Sequence, residues 1–401
     1  MINKLEIIVY NLVKNNRGFK NAILFLYQRF FCIFGVLKPK IITTNKYRVF
    51  EDCFFGFHDR PSMNRNSLLL AHRQNGKFHK GKGRALIGYF DLKSQDETFK
   101  VITETNCCNY QQGSLLTWLS DDTIIYNDSE SGKPVTKVVS LDGNVEKKFD
   151  FNFYSLSLCR KYLTAISFDD FEKGMPGYGY LEIKPCEFTR KRFSIISFSN
   201  SKLEFSFSIL EARNYVDFSD YGNEYFSHSL FNFDSSKCYF LYRANNGKRN
   251  VSALFCYNLI SGKLLHLETS LMVSHLCWLD NNKILAFCSV DSVDGYYIFD
   301  TLSGGVRRLE SKYLERDGHP TCSQIKGLVL TDCYPSRERR QTLYSIDQNS
   351  EEVTVLFDVY SLLKYTDVKR VDFHPRFSQC NKFITIDSPH MKKRCQIVIE
   401  I

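Results

Sequence analysis

Five of the nine histidines sit in one recurring pattern, in which His is followed four residues later by Ser, Asn or Leu, then by a turn and an apolar run. The copies begin at His58, His228, His275, His319 and His374 and lead into apolar runs such as Leu68-Leu69-Leu70 and Tyr239-Phe240-Leu241. A residue type repeated at one position of a repeated strand converges on a common point, and imidazoles brought together can ligate a metal or move a proton. His275, His319 and His374 come from three consecutive copies, and Asp372 lies two residues before His374, on the same strand face. Three imidazoles and a carboxylate suit Mn, Zn or Fe. His58 and His228, from other copies, are then free as a general base or a sugar ligand. The bland alternative stays beside this one: His-Pro at a strand start is a habit of the repeat, satisfied by backbone.

Other chemistry-bearing groups fall near the same positions. Arg60, Arg243 and Arg376 lie in or just after the copies and could clamp a carboxylate or phosphate with two parallel bonds, or form internal ion pairs. Gln111 and Gln112, with Gly113 and Ser114, offer amides and a hydroxyl of the kind that read sugar hydroxyls. The sequence contains no phosphate-cradling glycine loop, nucleophile elbow or paired-Cys zinc pattern, which argues against nucleotide hydrolases and serine hydrolases.

The elements that must hold these groups follow from the same repeat. Two copies lack the His: Trp118-Leu119 with Ile124-Ile125 aligns with Trp278-Leu279 and Ile284-Leu285, and Ser157 with Tyr162-Leu163 aligns with Ser378 and Phe383-Ile384. Each copy reads as strand, tight turn, strand, with further runs such as Gly295–Phe299 between copies, so roughly 40 to 55 residues carry four strands, the period of a propeller blade. Thirty-four Phe and 23 Tyr beside two Trp fit a strand-rich chain. The expected fold is all-β, a seven-bladed β-propeller over residues 46–401, with an insertion at about 169–223. The ring is expected to close by pairing the last strand, 396–401, with the segment near 47–50.

Residues 1–45 read differently. Lys4, Lys14, Arg17, Lys20, Arg29, Lys38 and Lys40 against Glu6 alone give the first forty residues +6 of the chain's +9. Because that excess sits on one end, a nucleic-acid partner is not expected. Residues 21–37 are apolar but interrupted by Gln28 and Arg29, too short and too charged for a span. At 100° per residue Ile23, Leu26, Tyr27, Phe30, Phe31, Phe34 and Leu37 share one face, the pattern of an amphipathic helix. We expect it at the anionic inner-membrane surface, through residues 1–40, on an otherwise cytoplasmic protein; the alternative is docking on the propeller. Fourteen Cys without regular spacing fit free thiols in a reducing compartment.

Asp317-Gly318-His319-Pro320 and His374-Pro375-Arg376-Phe377-Ser378 resemble Tol-associated propeller repeats, and the His pattern is similar to that of seven-bladed oligogalacturonate lyases. That resemblance implies β-elimination on uronate chains around a channel metal held by three His and a Gln. The lyase pattern has a Gln and a second His just before the last ligand, where this chain has Val371 and Asp372. The resemblance therefore carries His275 and His374 as ligands, with Asp372 as a substitute. Phe55–Asp59, Leu70–Arg73, Tyr110–Ser114, Tyr126–Asp128 and Pro176–Tyr180 further resemble segments of uncharacterised propellers found with bacterial surface-polysaccharide genes. The expected function is a carbohydrate-active propeller of capsule or O-antigen synthesis, metal-dependent and lyase-like or a glycosyltransferase, holding a glycan or activated sugar in its channel. The alternative is a non-catalytic scaffold that docks a polysaccharide-assembly enzyme.

Overall fold

Alternating apolar residues at a two-residue period build short antiparallel strands whose two faces are both covered, which is the condition of a sheet packed between two other sheets. The computed structural model describes residues 27, 29–181, 183–247 and 249–401. Seven sheets follow in chain order. The second to fifth blades are four-stranded meanders, beginning with Thr117–Trp118, Phe153–Leu156, Asn223–Phe231 and Val273–Trp278. The first has three long strands, Leu68–His79, Lys82–Asp91 and Lys100–Asn109. Residues 54–63 take its innermost place through two isolated bridges, Phe54 to His72 and Met63 to Leu69. The sixth, from Thr321–Ser323 outward, gains Ile41–Ile42 as a fifth strand beside Val353–Tyr360.

The seventh blade closes the ring as expected. Arg376–Phe377, Phe383–Ser388 and Cys395–Glu400 come from the end of the chain, and Tyr47–Glu51 pairs with Cys395–Glu400 from Tyr47–Ile399 to Glu51–Cys395. The core is divided among the interfaces between neighbouring sheets. Leu241 and Leu254 of the fourth blade pack with Trp278 and Ile284 of the fifth, and Leu330 and Phe357 of the sixth pack with Ile384 and Ile397 of the seventh. Two junctions repeat one device: Trp118 Nε1 donates to Ser62 O and Trp278 Nε1 to Leu230 O, while Asn64 and Asn232 each donate to a carbonyl of the next turn, Asp121 and Asn281.

The expected insertion at 169–223 is divided. Arg192–Ser197 and Leu203–Ser208 are the third blade's own outer strands, so the extra chain is the excursion before Arg192, with the helix Phe168–Gly174, and the short connection through Ile209–Ala212. The strands were missed because their Phe-Ser alternation lies between Pro/Gly-rich chain and a helix.

The start of the expected terminal helix, including Ile23 and Leu26, lies outside the described residues. Residues 29–36 are helical, with Cys32 and Gly35 buried against the sixth blade. A Cβ at Gly35 would stand 2.0 Å from Glu338 O, and Lys38 pairs with Glu338 at 2.7 Å. Phe30, Ile33, Phe34, Val36 and Leu37 remain exposed. One face thus docks and the other does not; the docked face is Cys32 and Gly35, at a different angle from the aromatic stripe. Among the described residues no helix is long and apolar enough to cross a membrane.

Candidate metal centre

In six blades the inner strand ends at a residue whose N–H bonds the carbonyl that opens the second strand: Asn64–Leu68, Leu119–Thr123, Ser157–Tyr162, Asn232–Lys237, Leu279–Lys283 and Ser378–Phe383. In the sixth blade Ser323 lies opposite Leu328. Four residues before these ends stand Arg60, Leu115, Phe153, His228, His275, His319 and His374. Four imidazoles therefore share the repeat position. His58 does not: its copy ends at Asn64, not Ser62, because residues 54–63 form an irregular strand two residues longer. The backbone is left-handed at Leu115 (φ 54°), His228 (φ 49°) and His374 (φ 46°), a conformation rare without glycine that concentrates at functional positions.

All five rings nevertheless meet at the axis. Phe57 lies among them, 4.4 Å from the His58 ring, 5.2 Å from His374, 5.3 Å from His228, 6.3 Å from His275 and 6.4 Å from His319, centroid to centroid. His319 is 4.1 Å from His275 and 4.4 Å from His374, and His58 is 5.6 Å from His319. Ligating atoms of His319, Asp372 and His374 lie within 4.8 Å of one another.

The polar atoms left over define the centre. His319 Nδ1 is 2.8 Å from Asp332 Oδ1, and His275 Nδ1 is 3.0 Å from Asp317 Oδ1. Each carboxylate fixes the ring proton on Nδ1 and leaves Nε2 as the lone-pair atom, the arrangement that orients metal-binding imidazoles. His319 Nε2, His374 Nε2 and Asp372 Oδ1 are buried without a partner. Arg370 holds the other carboxylate oxygen of Asp372 at 2.7 Å and reaches the Tyr178 hydroxyl at 2.6 Å. An orphaned set of two imidazole nitrogens and a carboxylate oxygen, with His275 alongside, fits a divalent ion of the Mn, Zn or Fe kind.

Charge balance divides the rings: three are held in the neutral, ligating form, and His319 alone is pushed toward the charged form that an ion would have to displace. Burial, then the neighbouring His319 ring, holds His374 and His58 well below the usual imidazole range, and burial also lowers His275 despite Asp317. Burial would lower His319 too, but Asp332 outweighs it and raises that ring. Neutral imidazoles are the ligating form.

The other expected residues divide. His58 Nδ1 is 2.7 Å from the Pro320 carbonyl, so its proton is fixed there and Nε2 carries the lone pair. His228 has no partner for either nitrogen and is boxed by Phe57, Tyr154, Phe171 and Tyr178. Arg60 and Arg376, expected as anion clamps, have every guanidinium nitrogen engaged inside the protein. Arg60 binds Asp59, Thr117 and the carbonyls of Leu115 and Tyr154; Arg376 binds Asp387, Thr385 and Gly56 O. They brace blades because burying a guanidinium requires such pairing. Arg243 donates to Val273 O and Ser274 O but leaves Nε unpartnered. Gln111 donates to Arg370 O and Gln112 to the Tyr154 hydroxyl, and each keeps a buried, unpartnered Oε1.

Sequence reasoning missed Asp317, Asp332, Arg370 and Tyr178. Asp332 had a signal: it stands four residues after the start of its strand, as Asp387 does in the next blade. Each carboxylate grips the entering backbone of the following blade, Asp332 at Phe373 N and Asp387 at Phe55 N and Gly56 N. The cluster's edge toward solvent is formed by Asp317 and Arg370, 20% and 28% exposed. At the opposite mouth a cavity of ≈ 410 Å³ reaches His58.

No family model and no curated protein matches the chain. Among solved structures it is similar to an oligogalacturonate lyase in complex with manganese, with TM-score 0.61 and 15% identity over 91% of this chain and 98% of that one. The oligogalacturonate lyase from Vibrio parahaemolyticus gives TM-score 0.58 and 12% identity over the same shares of the two chains. TolB from Acinetobacter baumannii aligns more loosely, with TM-score 0.41 and 12% identity over 83% of this chain and 79% of that one. At these identities the likeness is one of fold.

Proposed function

We propose that the chain is a metal-dependent carbohydrate-active propeller whose channel centre takes an acidic sugar, in bacterial surface-polysaccharide synthesis. The observation that carries the reading is the buried His319, His374 and Asp372 set with unpartnered ligating atoms, in which Asp332 fixes the His319 ring while Asp317 fixes the neighbouring His275. The manganese complex of the similar lyase supports the cofactor class, Mn, Zn or Fe.

When bound, a divalent ion would neutralise a uronate carboxylate and acidify the neighbouring C–H. His58, neutral and with its Nδ1–H held by Pro320 O, leaves Nε2 in the same ring cluster as the base proposed for that proton. Phe57 stands within 6.4 Å of all five rings, centroid to centroid, and gives the centre an apolar wall. Gln111 Oε1 and Gln112 Oε1 are spare acceptors for sugar hydroxyls.

Elemental analysis of the purified protein, with oligouronide cleavage followed by absorbance of the unsaturated product, tests the reading. Stoichiometric metal that is lost in His319→Ala, with product formation lost in His58→Ala, is expected. Metal-free protein, and unchanged glycan profiles in a strain lacking the chain, would overturn it. Metal without turnover in any assay would favour the non-catalytic scaffold.

A further inference from the structure

A second group of charges, unused by the metal centre, lines a pocket of ≈ 520 Å³ where the ring closes between the seventh and first blades. Lys364, Lys369, Lys392, Lys393 and Arg394 face it against one carboxylate, Asp52, which Lys393 takes at 2.6 Å. Among the described residues no carboxylate pairs with Lys364, Lys369, Lys392 or Arg394. Burial, then Arg394 and Lys392, holds the Lys364 ammonium below the usual lysine range. Cations crowded in this way around a single carboxylate favour a further anion between them.

Arg394 is the organised member. Its guanidinium lies 3.8 Å from the Tyr110 ring centroid and donates to Lys369 O at 2.7 Å and Arg370 O at 2.8 Å. Those bonds fix the fork before any ligand arrives, so little side-chain freedom is lost when a planar carboxylate is gripped. The same residue that receives it, Arg370, extends its side chain to Asp372 of the metal cluster. The pocket and the centre are therefore neighbours along one short segment, 369–372.

We propose that this pocket is a distal subsite for an acidic saccharide chain, binding its carboxylates through Lys364, Lys392 and Arg394 while another unit of the chain reaches the metal centre. The ligand class rests on the carbohydrate reading of that centre; the binding itself needs no metal.

The test uses the full chain in EDTA with a fluorescently labelled oligogalacturonide, a neutral dextran oligomer, poly-glutamate and phosphatidylglycerol vesicles. Binding of the oligogalacturonide is expected to be salt-sensitive and to weaken roughly tenfold or more in the exposed charge reversal Lys364→Glu/Lys392→Glu, to survive in His319→Ala, and to be absent for dextran. Unchanged affinity in the double variant would overturn the subsite. Equal affinity for poly-glutamate, or capture of vesicles in place of the oligogalacturonide, would overturn the saccharide class. Loss of binding in His319→Ala with none in the double variant would place the chain at the metal centre alone, leaving the proposed function standing while this inference fails.

Discussion

Carboxylates that never touch the expected ion decide how the imidazoles behave. Asp332 accepts from His319 Nδ1, His319 N and Phe373 N, so Asp332→Asn keeps the shape but removes the charge that fixes the ring. Manganese affinity measured by calorimetry is expected to fall about 10- to 100-fold, with the protein still folded; affinity equal to the parent would show that Asp332 is only structural. Acid stability draws on several buried histidines, of which His72 lies away from the centre. His72 is buried with its Nε2 on Ser114, and burial lowers it to about 4. In the unfolded chain an imidazole takes its proton near pH 6.5, so between that value and about 4 the unfolded state binds more protons and stability falls as pH falls. The loss is roughly 3 kcal/mol once the pH is below both values. Thermal melts from pH 7 to pH 4 should show the decline, and His72→Gln should make it shallower by its share; an equally steep decline in that variant would show that His72 contributes nothing to it.

Among the elements, the two segments before the first blade carry separate jobs. Residues 29–37 dock by Cys32 and Gly35 yet leave Phe30, Ile33, Phe34 and Leu37 in water, and with the basic residues around them we propose that they meet the anionic inner-membrane surface. Deleting residues 1–40 should release the protein from membrane fractions without lowering its melting temperature much; unchanged sedimentation would refute the membrane role. Extending the deletion through Glu51 removes the strand that pairs with Cys395–Glu400 and exposes Ile397 and Ile399. That variant should lose cooperative unfolding in calorimetry, because an open ring leaves a sheet edge and a core interface uncovered.

For the whole molecule, seven sheets around one axis turn a sequence repeat into a site. Any ion bound by the folded ring and not by the unfolded chain raises stability by mass action, about 2.7 kcal/mol at a hundred times its Kd. Manganese should raise the melting temperature of the parent, EDTA should reverse it, and His374→Ala should show neither change; a parent melt indifferent to Mn, Zn and Fe would remove the metal centre. The architecture was legible in the sequence because blade strands are local: Trp118 and Trp278, or Ser157 and Ser378, announce themselves by turn residues a few positions away. So was the convergence of His275, His319 and His374, since a repeated position in a closed ring has one destination. The entry of His58 was legible only in outcome, because its strand is irregular and two residues longer than the pattern. Tertiary structure alone decided the partners. That Asp317 serves His275 of the preceding blade, that Arg370 ties Asp372 to Tyr178 of the excursion in the third blade, and that Arg60 and Arg376 are consumed as braces all depend on contacts between blades. Spacing along a chain fixes which residues share a strand face; which carboxylate stands beside which ring is set by the twist and packing of separate sheets, and no local period encodes it.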